Sequence, residues 1–205
     1  QSLRIVDKLA VHYPEFGGLN LTWEVREGMV KHETEYDIAD ATGFEPEKQC
    51  TLEGQLANPA DEIAYTAHDL DDGLRSGLLR PEQLTGIAWW ERLKESLNWD
   101  GKGFNDMIRY RLTRRLIGLL VTNLIESTSE RLEQCHCASV EDVRQRPQKI
   151  VGLSPEAAAM TRELKRFLYE HLYRHPRVMR MQLKAERIIT ALFEAYIGEP
   201  AQLPY

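Results

Sequence analysis

The stretch LEGQLANPADEIAYTAHDLDDGLRS, residues 52–76, carries Leu56, Ile63, Ala64, Ala67, Leu70 and Leu74 at intervals dominated by three, four and seven. That recurrence marks one face of an α-helix, so the spacing predicts a single long helix over 52–76. Pro59 sets a kink or a fresh start within it, and Gly77 supplies a stop. Upstream, Leu3, Val6, Leu9 and Ala10 predict a helix that ends at Tyr13-Pro14, before a Gly17-Gly18 turn. Asn20 is the expected cap of a second helix over 21–32, with Val25, Met29 and Val30 as its apolar stripe. Residues 33–50 lack periodicity, include Gly43 and Pro46, and read as an exposed connector.

Downstream, Pro81 opens a short element, a helix over 84–97 ends near Asn98, and Gly101 and Gly103 turn the chain into the longest helix, over 105–133. Pro147 and Gly152 break residues 134–153. Ser154-Pro155-Glu156 pairs a cap with proline at the first helical position, launching a helix to 173 on the stripe Met160, Leu164, Phe167 and Leu168. Pro176 separates it from a last helix over 178–197, and the tail from Gly198, with Pro200 and Pro204, is expected to be extended. No alternating segment is long enough for a strand and no repeat is evident, so the fold class is all-α.

A chain of 205 residues with 42% hydrophobic content can bury a sizeable core. Its 32 acidic residues outnumber the 26 basic ones, and a net charge of -6 disfavours general attraction to nucleic acid or anionic membrane. The most apolar run, 116–125, is about half the roughly 20 residues needed to span a bilayer and reads as a buried helix. Cys50, Cys135 and Cys137 are too few for a disulfide scaffold and fit a reducing cytoplasm. The opening Gln1-Ser-Leu-Arg-Ile-Val is already in helical register, which reads as the start of a fragment.

Within the 52–76 helix, Asp61, Tyr65 and Asp69 sit four apart. Each such step rotates only about 40°, so the three side chains make a ridge about 12 Å long on one face. A carboxylate, a ring and a second carboxylate in that order can hold a metal, stack on a sugar and accept hydroxyl hydrogen bonds. The same spacing also describes an ordinary solvated face. Arg109-Tyr-Arg-Leu-Thr-Arg-Arg concentrates guanidinium groups suited to phosphate oxygens, or equally a solvated basic face. Lys31, beside His32, is a candidate phosphate contact or a solvated lysine at a helix end. Cys135-His-Cys137 lacks the ligand count and paired spacing of a structural zinc site. Trp89-Trp90 and the neighbourhood of Met179 and Met181 read as core or subunit interface.

The segment from Ala60 to Leu74, together with Gln1-Ser-Leu-Arg-Ile-Val and Leu19-Asn-Leu-Thr-Trp-Glu-Val-Arg-Glu-Gly-Met-Val-Lys-His, resembles the bacterial dGTPase-like triphosphohydrolases in the later part of their HD domain. The resemblance spans most of the chain. It implies an HD-like helical bundle, with 1–134 as the later part of the phosphohydrolase domain and 135–205 as a C-terminal helical region. In that family a histidine, a His-Asp pair and a distal aspartate hold the catalytic metal, and Asp61 matches the distal aspartate. Tyr65 matches the tyrosine packed on the deoxyribose, and Asp69 the carboxylate that contacts the 3′-hydroxyl. Arg109 resembles a triphosphate-binding arginine of related sterile-alpha-motif-and-HD-domain enzymes.

His68-Asp69 cannot serve as the metal-binding pair alongside Asp61 on a continuous helix. His68 lies about 10.5 Å along the axis from Asp61, while ligands of one ion each approach to roughly 2 Å. The pair and the first histidine are therefore expected upstream of Gln1, and none of His12, His32, His136, His171 or His175 has the context to replace them. The resemblance implies metal-dependent hydrolysis of a deoxynucleoside triphosphate to deoxynucleoside and inorganic triphosphate, with magnesium, manganese or another transition metal. It also implies a homo-oligomer and leaves a nucleotide activator open, while the cysteine usage and the short apolar run point to a cytoplasmic chain with no membrane partner. The 205-residue chain alone is expected to be inactive. Two other readings are an HD phosphohydrolase acting on another nucleotide and a non-catalytic nucleotide-binding or oligomerisation module.

Overall fold

A computed structural model describes residues 2–32 and 41–203, and among them it contains helices and no strand, only an isolated bridge between Val11 and Gly18. The elements are a short turn α1 (Ser2–Arg4) running into a π-helical turn (Ile5–Leu9), then α2 (Trp23–Val30), α3 (Leu52–Arg75), α4 (Ala88–Ser96), α5 (Asp106–Cys135), α6 (Val140–Arg144), α7 (Pro155–Leu168) and α8 (Pro176–Gly198). The all-α expectation holds. The chain divides into two compact units, 1–68 with 113–159 and 69–112 with 160–205.

In the first unit, α2 is capped by Thr22, whose hydroxyl accepts from the Val25 amide, and not by Asn20, which sits in the left-handed region at φ +50. The face it buries also differs from the expected stripe. Glu27, Gly28 and Val30 are buried while Val25 is 49% exposed. The reason is a close approach of two backbones: a Cβ on Gly28 would lie 3.3 Å from the Gly54 Cα. Such contact needs the absence of side chains, so the helix turns Gly28 inward and leaves Val25 outside.

Thr51 begins α3 by accepting from the Gly54 amide, and the helix runs unbroken through Pro59. Proline there removes the amide that would have bonded to the carbonyl four residues back and crowds that carbonyl with its ring, yet the helix continues. Gln55, buried at 1% exposure, donates to the Cys50 carbonyl and accepts from the Ile150 and Val151 amides. It thereby satisfies backbone groups that burial would otherwise leave costly. The segment 41–50, expected to be exposed, contributes buried Phe44 and Cys50, while 33–40 lies outside the described residues. In the apolar run 116–125, Leu116, Leu120 and Leu124 are buried, but Val121 and Ile125 are exposed, so the segment is one-sided and not buried all round.

In the second unit, Gly77 stops α3 with φ +69, and a 3₁₀ turn (Pro81–Leu84) leads to Gly86 at φ +88. That turn delays α4 to Ala88, past the expected start at 84. The free amide of Ala88 donates to the Glu163 carboxylate at 2.9 Å. Trp89 and Trp90 are each 3% exposed, and Trp89 Nε1 donates to Thr161 Oγ1, so the tryptophan pair belongs to the core of this unit. By contrast α8 buries no residue and exposes Met181, Ile188, Ile189, Leu192 and Phe193, and a 3₁₀ turn (Pro200–Gln202) replaces the expected extended tail.

Gly73 faces Leu79 so closely that an added Cβ would lie 2.4 Å from Leu79 Cδ1 and 2.8 Å from its Cγ. The Gly73→Ala variant is expected to lose about 1–3 kcal/mol despite the better helix propensity of alanine, because the core must open to admit a methyl. Urea denaturation tests this, and an unchanged or raised midpoint would show that Leu79 relocates freely.

Candidate active site

The glycine contact that draws α2 onto α3 sets the end of α2 beside the middle of α3. Between them opens a cavity of about 740 Å³ whose lining includes Val25, Gly28, Met29, His32, Ala57 and Asp61. Its size falls in the range of small-molecule pockets, about 300–1,000 Å³. Asp61 presents a side chain that is 62% exposed, and Tyr65, one turn further along α3, is exposed as well.

His32, which follows α2, brings its Nε2 to 3.8 Å from Asp61 Oδ2. The distance is too long for a hydrogen bond and short enough for charge attraction when the imidazole is protonated. His32 Nδ1 is buried with no hydrogen-bond partner among the described residues. Sequence reasoning set His32 aside. Nothing in its immediate neighbours signals the contact, because Asp61 meets it only after the chain has folded back.

Lys31 has a different setting. Its side chain is 11% exposed, its ammonium pairs with Glu27 at 2.7 Å, and it donates to the Glu45 and Lys48 carbonyls. Glu27, wholly buried, also receives Arg144 Nη2 at 2.8 Å, and the same nitrogen reaches Glu45 at 2.7 Å. Lys48 bridges Glu45 and Glu141, each at 3.0 Å. Hydrogen bonds from Lys48 and Arg144 hold the Glu45 carboxyl below its ordinary range, and those to Glu45 and Glu141 raise the Lys48 ammonium. The donors of Lys31 are thus committed to an internal ion network.

In the second unit, the Asp69 carboxylate is half-buried and accepts from the Tyr173 hydroxyl. Arg109, 2% exposed, pairs with Asp71 at 2.5 Å and with Asp106 at 3.2 Å, and its guanidinium lies 4.4 Å from the Tyr110 ring centre. Arg111, Arg114 and Arg115 are exposed, as is His68.

A carboxylate oxygen such as that of Asp61 suits a hard divalent cation, but among the described residues no three His, Cys, Asp or Glu side chains converge as a metal site would require. Among the same residues, no helix is long and apolar enough to cross a membrane.

Residues 151–205 match the family described as phosphohydrolase-associated domain. The whole chain is similar to proteins named deoxyguanosinetriphosphate triphosphohydrolase-like. It is 43% identical over 207 residues to the one from Geobacter sulfurreducens, 43% over 210 to that from Ralstonia nicotianae and 42% over 212 to that from Bordetella pertussis. In each case the match takes in 100% of this chain and 54% of the relative. The chain spans about half the length of these curated relatives. An all-helical fold, the segment around Asp61 and similarity along the entire chain agree, and the chain belongs to the dGTPase-like family of HD-domain proteins.

Proposed function

We propose that the whole protein to which this sequence belongs hydrolyses a deoxynucleoside triphosphate to the deoxynucleoside and inorganic triphosphate, water attacking the α-phosphorus and the 5′-oxygen departing. The observation that supports this best is Asp61: an exposed carboxylate on the rim of a ligand-sized cavity, in a segment that resembles the family's distal metal ligand. A divalent ion bound there with ligands from outside this chain would offset phosphate charge and acidify a water. Tyr65 offers an exposed ring for the deoxyribose, and Asp69 a carboxylate able to exchange its Tyr173 partner for the 3′-hydroxyl. Arg109 and Lys31 reach a phosphate only by leaving the ion pairs that now hold them. Residues 1–134 are assigned to the later part of the HD domain and 135–205 to the C-terminal region. The exposed apolar side chains of α8 support self-association.

Incubating a panel of nucleotides with a longer protein of the relatives' length, and separately with the 205-residue chain, tests this reading. Inorganic triphosphate is expected from deoxynucleoside triphosphates with the longer protein and none with the short chain, among whose described residues no three metal-ligating side chains converge. Release of orthophosphate or pyrophosphate instead would favour a different phosphohydrolase. Full activity in the short chain would overturn the assignment of the missing ligands to another segment.

A further inference from the structure

Helix α5 ends at Cys135, and the next residue, His136, takes the left-handed conformation at φ +50. Side chains with a Cβ seldom adopt that conformation, and here it folds the chain so that Cys137 returns onto Cys135. The two sulfurs stand 2.7 Å apart, within an ångström of the disulfide bond length of about 2.05 Å. Both cysteines are partly exposed and unbridged, so a small oxidant has access. Arg146 donates to the Cys135 carbonyl and lies against both sulfurs, fixing the turn and setting a positive charge beside it. Cys50, in contrast, is 3% exposed, and burial raises its thiol above the ordinary range.

We propose that Cys135 and Cys137 form a reversible dithiol–disulfide site closed by peroxide, with Cys135 as the attacking sulfur and Cys137 as the resolving one. The Cys135 thiolate attacks the O–O bond of hydrogen peroxide and becomes a sulfenic acid, and the departing hydroxide takes up a proton to leave as water. The Cys137 sulfur then attacks the sulfenic sulfur, and its thiol proton leaves with the displaced hydroxyl as a second water. Two thiols lose two electrons in all and the peroxide is reduced to two waters. The division of roles follows the local bonding. A hydrogen bond joins the two sulfurs; together with the nearby Arg146 it lowers the Cys135 thiol below its usual range, and it raises that of Cys137. Closure would tie the end of α5 to the segment that carries α6 and Arg144, the residue paired with buried Glu27.

The test is peroxide treatment of the folded chain, alkylation of the remaining thiols and peptide mass spectrometry. The expected product is an internal Cys135–Cys137 disulfide that dithiothreitol reverses, with Cys50 alkylated only after unfolding. In the Cys137→Ser variant, dimedone is expected to trap a sulfenic acid on Cys135. In Arg146→Ala that trapping should slow by roughly tenfold as the favourable charge is lost. Over-oxidised cysteines without the internal bridge, or bridges only between chains, would overturn the site. A sulfenic acid that forms as fast at Cys137 in Cys135→Ser as at Cys135 in Cys137→Ser would overturn the order of attack.

Discussion

In a longer protein that hydrolyses deoxynucleoside triphosphates, Asp61→Asn is expected to cut inorganic triphosphate release by at least about 10²-fold, since even changes behind the ligands of a metal site cost 10–100-fold. The same variant should fold normally. Asp61 is largely exposed, and its carboxylate lies 3.8 Å from His32 Nε2, beyond hydrogen-bond distance, so stability is expected to move by no more than about 0.5 kcal/mol. The combination separates a ligand from a structural residue: lost turnover at an unchanged melting temperature. Retained turnover would remove Asp61 from the chemistry and with it the reading of the α3 segment as part of the site. His32→Gln provides a useful contrast, since it removes the imidazole beside Asp61 while leaving the carboxylate in place.

The long helices were legible because α3, α5, α7 and α8 announce themselves through apolar repeats and through turn residues at their ends. The sites of failure share a cause, which is that the deciding partner lies far along the chain. Apolar periodicity caught Val30 but misplaced Val25 in α2, because the contact with α3 is made by Gly28 and Gly54, residues that contribute no hydrophobic signal. Asn20 is a good capping residue by type, yet its backbone lies in the left-handed region and the cap passes to Thr22. The 33–50 segment looked solvated because its acids mask Phe44, whose ring meets Trp23 at 5.7 Å between centres. Asp61 was singled out from its neighbours on one helix and from family resemblance, whereas the His32 contact required the tertiary fold. Lys31 and Arg109 show the converse: their chemistry suits phosphate, and only the fold reveals the carboxylates that pair with them here.

Glu27 was invisible for the same reason, and its replacement carries the largest expected cost to stability. Its side chain is wholly buried between Lys31 and Arg144, the second of them 117 residues away in sequence. An isolated buried carboxylate would be prohibitive, so the two cations are what permit it there, and it in turn permits them. Glu27→Ala leaves Lys31 and Arg144, at 11% and 12% side-chain exposure, without their common counter-charge. The expected loss is about 3–5 kcal/mol, a large share of the roughly 5–15 kcal/mol that holds a typical domain together. Glu27→Gln should cost less, because an amide oxygen still accepts from both cations while the charge is gone. The double variant Glu27→Leu with Arg144→Met should recover part of the loss, since it removes one stranded cation and fills its space with apolar atoms. Chemical denaturation of the four proteins measures this. A Glu27→Ala variant within about 1 kcal/mol of the parent would mean that Glu45 and solvent already satisfy Arg144, and that the buried carboxylate contributes specificity of packing more than stability.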